Sequence, residues 1–158
     1  MNGMPTHLTE RFREISDTGE PQDAVALLSP YLAAGDAEAQ FLRAHVLLQN
    51  EPLGTEESSL RLLQEAASKG YLPAIFEMGM NYLFGEWGVD VDEAAAARCF
   101  AAASRGGFVP AHYEYGLALL HGKGVERDAE RAVALIRDAA TAGNEYALEF
   151  LALNENGT

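Results

Sequence analysis

The stretch AHYEYGLALLHGKGVERDAERAVALIRDAATAG, residues 111–143, is one complete structural unit of this chain and decides its fold. It opens with an apolar segment, passes through a glycine-containing loop to Asp128, and closes with a second apolar segment that ends at Gly143. In the second segment the apolar residues recur with the spacing of one helix face; they are Ala132, Leu135, Ile136 and Ala139. The stretch therefore predicts two helices joined by a short loop, with Asp128 as the cap of the second helix.

A glycine closes each unit, and these glycines recur along the chain at intervals of 35, 37 and 36 residues. They are Gly35, Gly70, Gly107 and Gly143, and the alanines four residues later are Ala39, Ala74, Ala111 and Ala147. Self-similarity at such a period indicates a solenoid, in which each unit packs on its neighbours. We therefore predict one domain over residues 1–158, built of about four helix pairs near 6–35, 36–70, 71–107 and 108–143, with a capping helix at 144–153.

Small residues stand five positions after the first alanine of three units, at Ala44, Gly79 and Gly116. A small side chain there lets the two helices of a pair approach closely, because a bulkier one would hold the backbones apart. The loops between paired helices differ, since residues 85–92 form a loop with one residue more than residues 122–128. The earlier unit has the unrelated sequence EPLGT at 51–55, so the latter half of the chain carries the more regular units.

These features closely resemble the Sel-one-like repeat family, a branch of the tetratricopeptide superfamily. The family pattern runs Ala-x-x-x-Leu-Gly, a Gly-x-Gly-Val loop, Asp, then Ala-Ala-x-x-Gly. Residues 111–143 fit it almost throughout, and residues 74–107 fit it with one extra loop residue and with Ser104 in place of the second alanine. The resemblance implies an all-α fold, a right-handed superhelical α/α solenoid of antiparallel helix pairs. It also implies no shared enzymatic activity and, as the usual role, the binding of a partner protein.

The charge balance indicates what kind of partner to expect. With 11 Lys and Arg residues against 24 Asp and Glu, the net charge is −13, which repels nucleic acid backbones and anionic membranes and attracts cationic proteins. Cys99 is the only cysteine, so no internal disulfide can form. No apolar run is long enough for a signal peptide or a spanning helix. We therefore expect a cytoplasmic protein that binds neither nucleic acid nor membranes.

A partner-binding face is predicted on the first helix of each pair. The alanine, the small residue and a large residue three further on should point inward, which leaves the first, third, sixth, seventh and tenth steps after the alanine to line a concave groove. These positions are Gln40, Leu42, His45, Val46 and Gln49, then Ile75, Glu77, Met80, Asn81 and Phe84, then His112, Glu114, Leu117, Ala118 and His121. Several are apolar, which favours a groove for a partner helix or peptide; packing between neighbouring units is the alternative.

Two further residues each allow two interpretations. Trp87, in the longer loop, is either a lid on the helix junction or an exposed contact residue, and the enrichment of tryptophan at interaction hot spots places it among the partner-binding residues. Cys99 lies on the apolar stripe of a second helix, which favours a small core residue over a reactive thiol. No metal, cofactor or catalytic site is predicted, because no two histidines have the i, i+4 spacing of a helical metal pair.

The leading prediction is a non-catalytic protein-interaction module or adaptor. A sharper version is an acidic inhibitor, such as an immunity protein of a basic toxin, because opposite charge steers and accelerates association. Two alternatives belong to other classes. One is a hydrolase like the cysteine-rich relatives of the family, which depend on a cysteine pair per repeat that this chain lacks. The other is a structural repeat protein that self-assembles, for instance as a homodimer through a terminal repeat.

Overall fold

Nine helices and no strands make up residues 7–49 and 55–155, the part of the chain that the computed structural model describes. Their bounds are α1 His7–Thr18, α2 Pro21–Ala33, α3 Ala37–Gln49, α4 Glu56–Ser68, α5 Leu72–Phe84, α6 Glu93–Arg105, α7 Val109–His121, α8 Ala129–Thr141 and α9 Glu145–Glu155. The prediction of an all-α repeat solenoid is confirmed. The predicted start of the array near residue 6, the loop at 51–54 and residues 156–158 lie outside the described residues.

Each helix packs on the next one along the chain, so the helices form a stack of antiparallel pairs. The most extensive contacts join α3 to α4, α5 to α6 and α7 to α8, which are three of the four predicted pairs, whereas the contact between α1 and α2, the first predicted pair, is smaller. Smaller contacts join α4 to α5 and α6 to α7, so the second helix of each pair also supports the first helix of the next. At the end of the stack, α9 packs on α8 in the place of the first helix of a fifth pair. No described helix is long and apolar enough to cross a lipid bilayer.

The second helices begin at equivalent capping residues. The Oδ1 atoms of Asp92 and Asp128 accept hydrogen bonds from the backbone N–H groups three residues later, at 2.9 and 3.0 Å. Such a cap satisfies one of the N–H groups that have no partner inside the helix. The expectation that Asp128 caps its helix is confirmed, and the caps set α6 and α8 in the same register.

Close packing within each pair depends on the small residue in the middle of the first helix. A Cβ atom at Gly79 would lie 2.6 Å from Phe100 Cε1, and one at Gly116 would lie 2.7 Å from Ile136 Cγ1. Both distances are too short for real Cβ atoms, so alanine at either position would force Phe100 or Ile136 to shift. Ala44, at the same step of α3, is fully buried. The predicted role of the small residue is therefore confirmed.

Candidate functional site

A cavity of about 240 Å³ lies between α5 and α7 over α6, and we call it the α5/α7 groove. Its lining residues are Leu83 of α5, Glu93, Ala96, Ala97 and Phe100 of α6, Glu114, Leu117, Ala118 and His121 of α7, and Lys123 of the following loop. The four residues on α7 are among those predicted to line a concave face. The structure brings these four together.

The α5/α7 groove combines an apolar base with a charged rim. The buried base residues are Ala96, Ala97 and Phe100, and the exposed rim residues are Glu93, His121 and Lys123. Glu114 is half-buried, and this burial raises the pKa of its carboxyl because the charged form loses solvation. No side chain of the described residues forms an ion pair or a hydrogen bond with that carboxylate. The groove therefore offers apolar surface beside an uncompensated acidic group.

One repeat earlier, the indole of Trp87 belongs to the apolar cluster that contains the equivalent residues, and we call this place the α3/α5 groove. Trp87 is 9% exposed, and its ring lies edge-on to the imidazole of His45 with the ring centroids 5.5 Å apart. It belongs to an apolar cluster that contains Leu63 and against which Leu48 and Leu60 pack. By register, the counterparts of Leu48, Leu60 and Leu63 in the next repeat are Leu83, Ala97 and Phe100. Trp87 thus shares a cluster with the counterparts of three residues that line the α5/α7 groove.

The loop after α5 explains why Trp87 lies there. The backbone N–H of Asp92 donates to the carbonyl of Tyr82 (2.9 Å), and the equivalent bond one repeat later joins Asp128 to Leu119 (3.0 Å). Between these matched points the loop after α5 has one residue more than the loop after α7. Trp87 has a φ of +54°, which is uncommon for any residue but glycine. The extra residue therefore allows the longer loop to place an indole against α3.

Three of the predicted partner-binding residues are buried, so predicting them as accessible was wrong. Gln40 is 7% exposed, and its side chain donates to Glu65 Oε2 and accepts from Lys69 Nζ, both at 2.8 Å. Trp87 is a lid on the helix junction and not an exposed contact residue. Asn81 is fully buried, and its amide has no hydrogen-bond partner among the residues that the structure describes. Three other residues expected on this face, Leu42, Val46 and Ala118, are buried as well. Neighbouring parts of the chain cover all of these side chains.

The groove is also lined by fewer residues than predicted. The residue directly after the first alanine of α5 and of α7 points toward a neighbouring second helix and not into the groove. His112 Nδ1 lies 2.8 Å from Ser104 Oγ of α6. Ile75 shares a separate surface depression with Arg98 and Cys99, which lie on a different face of α6 from the groove base. Ile75 and His112 therefore do not line the α5/α7 groove, and their assignment to it was wrong.

The remaining predicted residues lie on α3 and α5. His45 is half-buried, and burial lowers its pKa. Glu77 is half-buried as well, and both burial and the nearby charge of Glu86 raise its pKa. Met80 packs against the apolar cluster at the base of the α5/α7 groove, whereas Phe84 is 60% exposed. Of these four, Phe84 presents the largest apolar surface to solvent.

The described residues bring together no set of metal ligands. Among residues 7–49 and 55–155, no three His, Cys, Asp or Glu side chains are placed so that they could hold a metal ion. Cys99 is half-buried, and burial raises the pKa of its thiol by more than the neighbouring Arg98 lowers it. A raised thiol pKa reduces the fraction of nucleophilic thiolate. This environment matches that of a core cysteine.

The part of the groove that lies outside α7 was not predicted from the sequence. The missed residues are Leu83, Glu93, Ala96, Ala97, Phe100 and Lys123. One signal was available in the repeats themselves. When Thr55 and Asp92, the capping residues of α4 and α6, are aligned, Leu60 stands opposite Ala97, so the groove base has a smaller side chain at this position.

Comparison with known proteins assigns the repeats to a family. The family model of the Sel1 repeat matches residues 37–71, 72–108 and 109–144, which contain the pairs α3–α4, α5–α6 and α7–α8. No curated protein sequence matches the chain.

Solved structures share the fold. A Sel1 repeat protein from Oxalobacter formigenes is 30% identical, with 80% of this chain and 96% of that chain covered and a TM-score of 0.75. Two others show likeness of fold alone. For c5321, a protective antigen present in uropathogenic Escherichia coli strains and displaying an SLR fold, the identity is 23%, the coverage 95% of this chain and 40% of that chain, and the TM-score 0.61. For Helicobacter pylori cysteine rich protein B (hcpB), the identity is 17%, the coverage 94% and 99%, and the TM-score 0.63. Since the matched repeats span more than half of its length, this chain belongs to the Sel1 repeat family.

Proposed function

We propose that this chain is a non-catalytic protein-interaction module or adaptor that binds a protein or peptide, with the α5/α7 groove at the centre of its binding face. Sel1 repeat proteins are in general protein-interaction modules, which supports the class. The observation that carries the site is the convergence of Glu114, Leu117 and His121 in one cavity with the apolar base of α6. Apolar surface surrounded by a polar rim is typical of recognition sites. A cytoplasmic location is part of the proposal, since a single cysteine gives no sign of an oxidising compartment.

The charge of the partner is inferred from two carboxylates. Glu77 and Glu114 occupy the same step of α5 and α7, both are half-buried, and burial raises the pKa of each. Neither forms an ion pair or a hydrogen bond within the described part of the chain, so each would gain from a lysine or arginine of a partner. With a net charge of −13, association with a basic protein would also be steered electrostatically. An inhibitor of a basic protein, such as an immunity protein of a cationic toxin, is the specific version of this proposal.

Affinity capture from the native lysate tests the proposal with three baits. They are the wild-type chain, Glu114→Lys in the groove, and Asp138→Lys on the exposed surface of α8, which changes the net charge by the same amount. We expect the wild type and Asp138→Lys to retain a basic protein, identified by mass spectrometry, and Glu114→Lys to lose it. High salt should weaken the capture, because exposed charges are screened. A protein retained equally by all three baits would contradict the proposed site.

Self-association is a second candidate, and it is favoured by the surface of α9. Three large apolar side chains of this helix are exposed: Tyr146 (70%), Leu148 (50%) and Leu153 (71%). Exposed apolar surface often marks an interface, and α9 stands where the first helix of another pair would stand. Light scattering over a concentration series should then show a dimer for the wild type and a monomer for Leu148→Lys. A constant monomeric mass for the wild type would exclude this candidate.

A further inference from the structure

Two successive grooves of one chain differ in what lies inside them. In the α3/α5 groove the chain supplies an aromatic side chain of its own, Trp87, which is 9% exposed. In the α5/α7 groove the loop is one residue shorter, and the structure shows a cavity of about 240 Å³ there. The base also has a smaller side chain at one position, because Ala97 stands where the earlier repeat has Leu60. The same scaffold is therefore packed in one repeat and accessible in the next.

The size of the cavity restricts what can bind in it. Pockets for drug-sized ligands are usually about 300–1,000 Å³, and the α5/α7 groove, at about 240 Å³, is smaller. A single large side chain is a better match for this volume. The position of Trp87 one repeat earlier provides an internal example, since an indole is buried there among equivalent residues.

The charges around the cavity restrict which charged group of a partner can lie beside that side chain. Glu114 lines the cavity and has no ion-pair partner among the described residues, and Glu93 adds a second carboxylate at the rim. Lys123 and His121 also lie at the rim, and both are exposed. A cation carried next to the aromatic group would compensate Glu114, whereas an anion there would meet both carboxylates.

We infer that the α5/α7 groove accepts one aromatic side chain of a bound protein, and that a lysine or arginine of the partner lies beside it and pairs with Glu114. This inference rests on the proposed function and specifies the chemistry of the partner. Trp87 is the intramolecular counterpart of the bound side chain. The groove is thus an anchor point of the binding face.

The test uses two small probes that differ only in the sign of their charge. Tryptamine and indole-3-propionate carry the same indole on a chain of similar length, ending in an ammonium or a carboxylate. In a ¹H–¹⁵N NMR titration, tryptamine should cause saturable shifts at Ala96, Ala97 and Leu117, with a Kd on the order of 1 mM for a ligand of this size. Indole-3-propionate should bind roughly fivefold more weakly. No saturable shift at these residues with tryptamine would overturn the inference.

Matched variants separate the two parts of the inference. Ala97→Leu restores the larger residue of the earlier repeat and should abolish the shifts, whereas Ala134→Leu on the exposed face of α8 should leave them unchanged. Glu114→Gln should reduce tryptamine binding to about that of indole-3-propionate, and the control Asp138→Asn should have no effect. If tryptamine still binds to Ala97→Leu, the aromatic side chain does not occupy the groove. If tryptamine binds Glu114→Gln as tightly as the wild type, the cation does not pair with Glu114. The spectrum of each variant without probe reports its fold.

The same variants distinguish failure of this inference from failure of the proposed function. Ala97→Leu fills the cavity and leaves the charges of the binding face intact. If partner capture is lost in Glu114→Lys but unaffected in Ala97→Leu, the proposed function stands and the aromatic anchor is wrong. If capture is lost in both variants, the inference is supported.

Discussion

The α3/α5 and α5/α7 grooves are formed by equivalent helices, yet one is part of the core and the other is accessible from outside. The caps of α6 and α8 and the hydrogen bonds that close the two loops are equivalent in both repeats. At the loop and the base, the two grooves differ by one additional loop residue and by the exchange of Ser59, Leu60 and Leu63 for Ala96, Ala97 and Phe100. A repeat scaffold can therefore convert a potential binding groove into internal packing with very few changes. It follows that the regularity of a repeat does not by itself identify which repeat binds.

Removing the side chain of Trp87 is the strongest way to test this difference. Trp87→Ala should lower the free energy of unfolding by about 3–5 kcal/mol, the usual cost of truncating a large buried aromatic residue. Phe84→Ala is the matched control, because Phe84 is 60% exposed and three residues away. We expect that variant to lie within about 0.5 kcal/mol of the wild type. Urea unfolding followed by circular dichroism measures both, and similar losses would show that Trp87 does not fill the α3/α5 groove.

The two loops should also respond differently to substitution of a glycine. Gly124 has a φ of +66°, and a Cβ atom there would lie 2.0 Å from the carbonyl oxygen of Glu93. Gly88 has a φ of +74° but no atom within 4 Å of such a Cβ. Gly88→Ala should therefore lower the free energy of unfolding by about 1–2 kcal/mol, which is the cost of holding alanine in the left-handed conformation. Gly124→Ala should cost about 1–3 kcal/mol more, because the loop after α7 must move away from α6. Equal losses in thermal or urea unfolding would contradict the close contact between that loop and α6.

A smaller effect is expected at the base of the α3/α5 groove. Ser59 is fully buried, and its hydroxyl has no hydrogen-bond partner among the described residues, whereas its counterparts Ala24, Ala96 and Ala132 carry no polar side-chain atom. Ser59→Ala should raise the free energy of unfolding by about 1 kcal/mol, through better helix propensity and removal of an unsatisfied hydroxyl. Ser68→Ala is the control, since that hydroxyl is exposed and donates to the Glu65 carbonyl. A loss of stability in Ser59→Ala would mean that the hydroxyl has a favourable role.

Local patterns were sufficient to predict the helix pairs. The period of the closing glycines, the small residue of each first helix and the capping aspartates are all local signals, and the structure contains the feature that each one predicts. Which side chains line the groove depends on contacts between helices that are distant in sequence. Gln40 was expected at the surface, but its side chain is buried and forms hydrogen bonds with Glu65 of α4 and with Lys69, the residue that follows α4.

Trp87 illustrates the same difficulty in a loop. Its burial depends on a positive φ and on the proximity of His45, and neither is visible in the sequence around it. The groove base was missed because it belongs to second helices, whereas the prediction considered only first helices. A comparison of Leu60 with Ala97 across the aligned repeats would have pointed to the correct groove.

Photo-crosslinking from the rim of the groove tests the central claim, that a partner binds in the α5/α7 groove, most directly. A benzophenone amino acid would replace His121, which is exposed at the rim, or Asp138, which is exposed on α8. After irradiation in native lysate, we expect a crosslinked protein from position 121 and none from position 138. We further expect that the added change Ala97→Leu abolishes the adduct and that the crosslinked peptide contains an aromatic residue beside a lysine or arginine. An adduct that forms equally with Ala97→Leu, or only from position 138, would show that the partner does not bind in the α5/α7 groove.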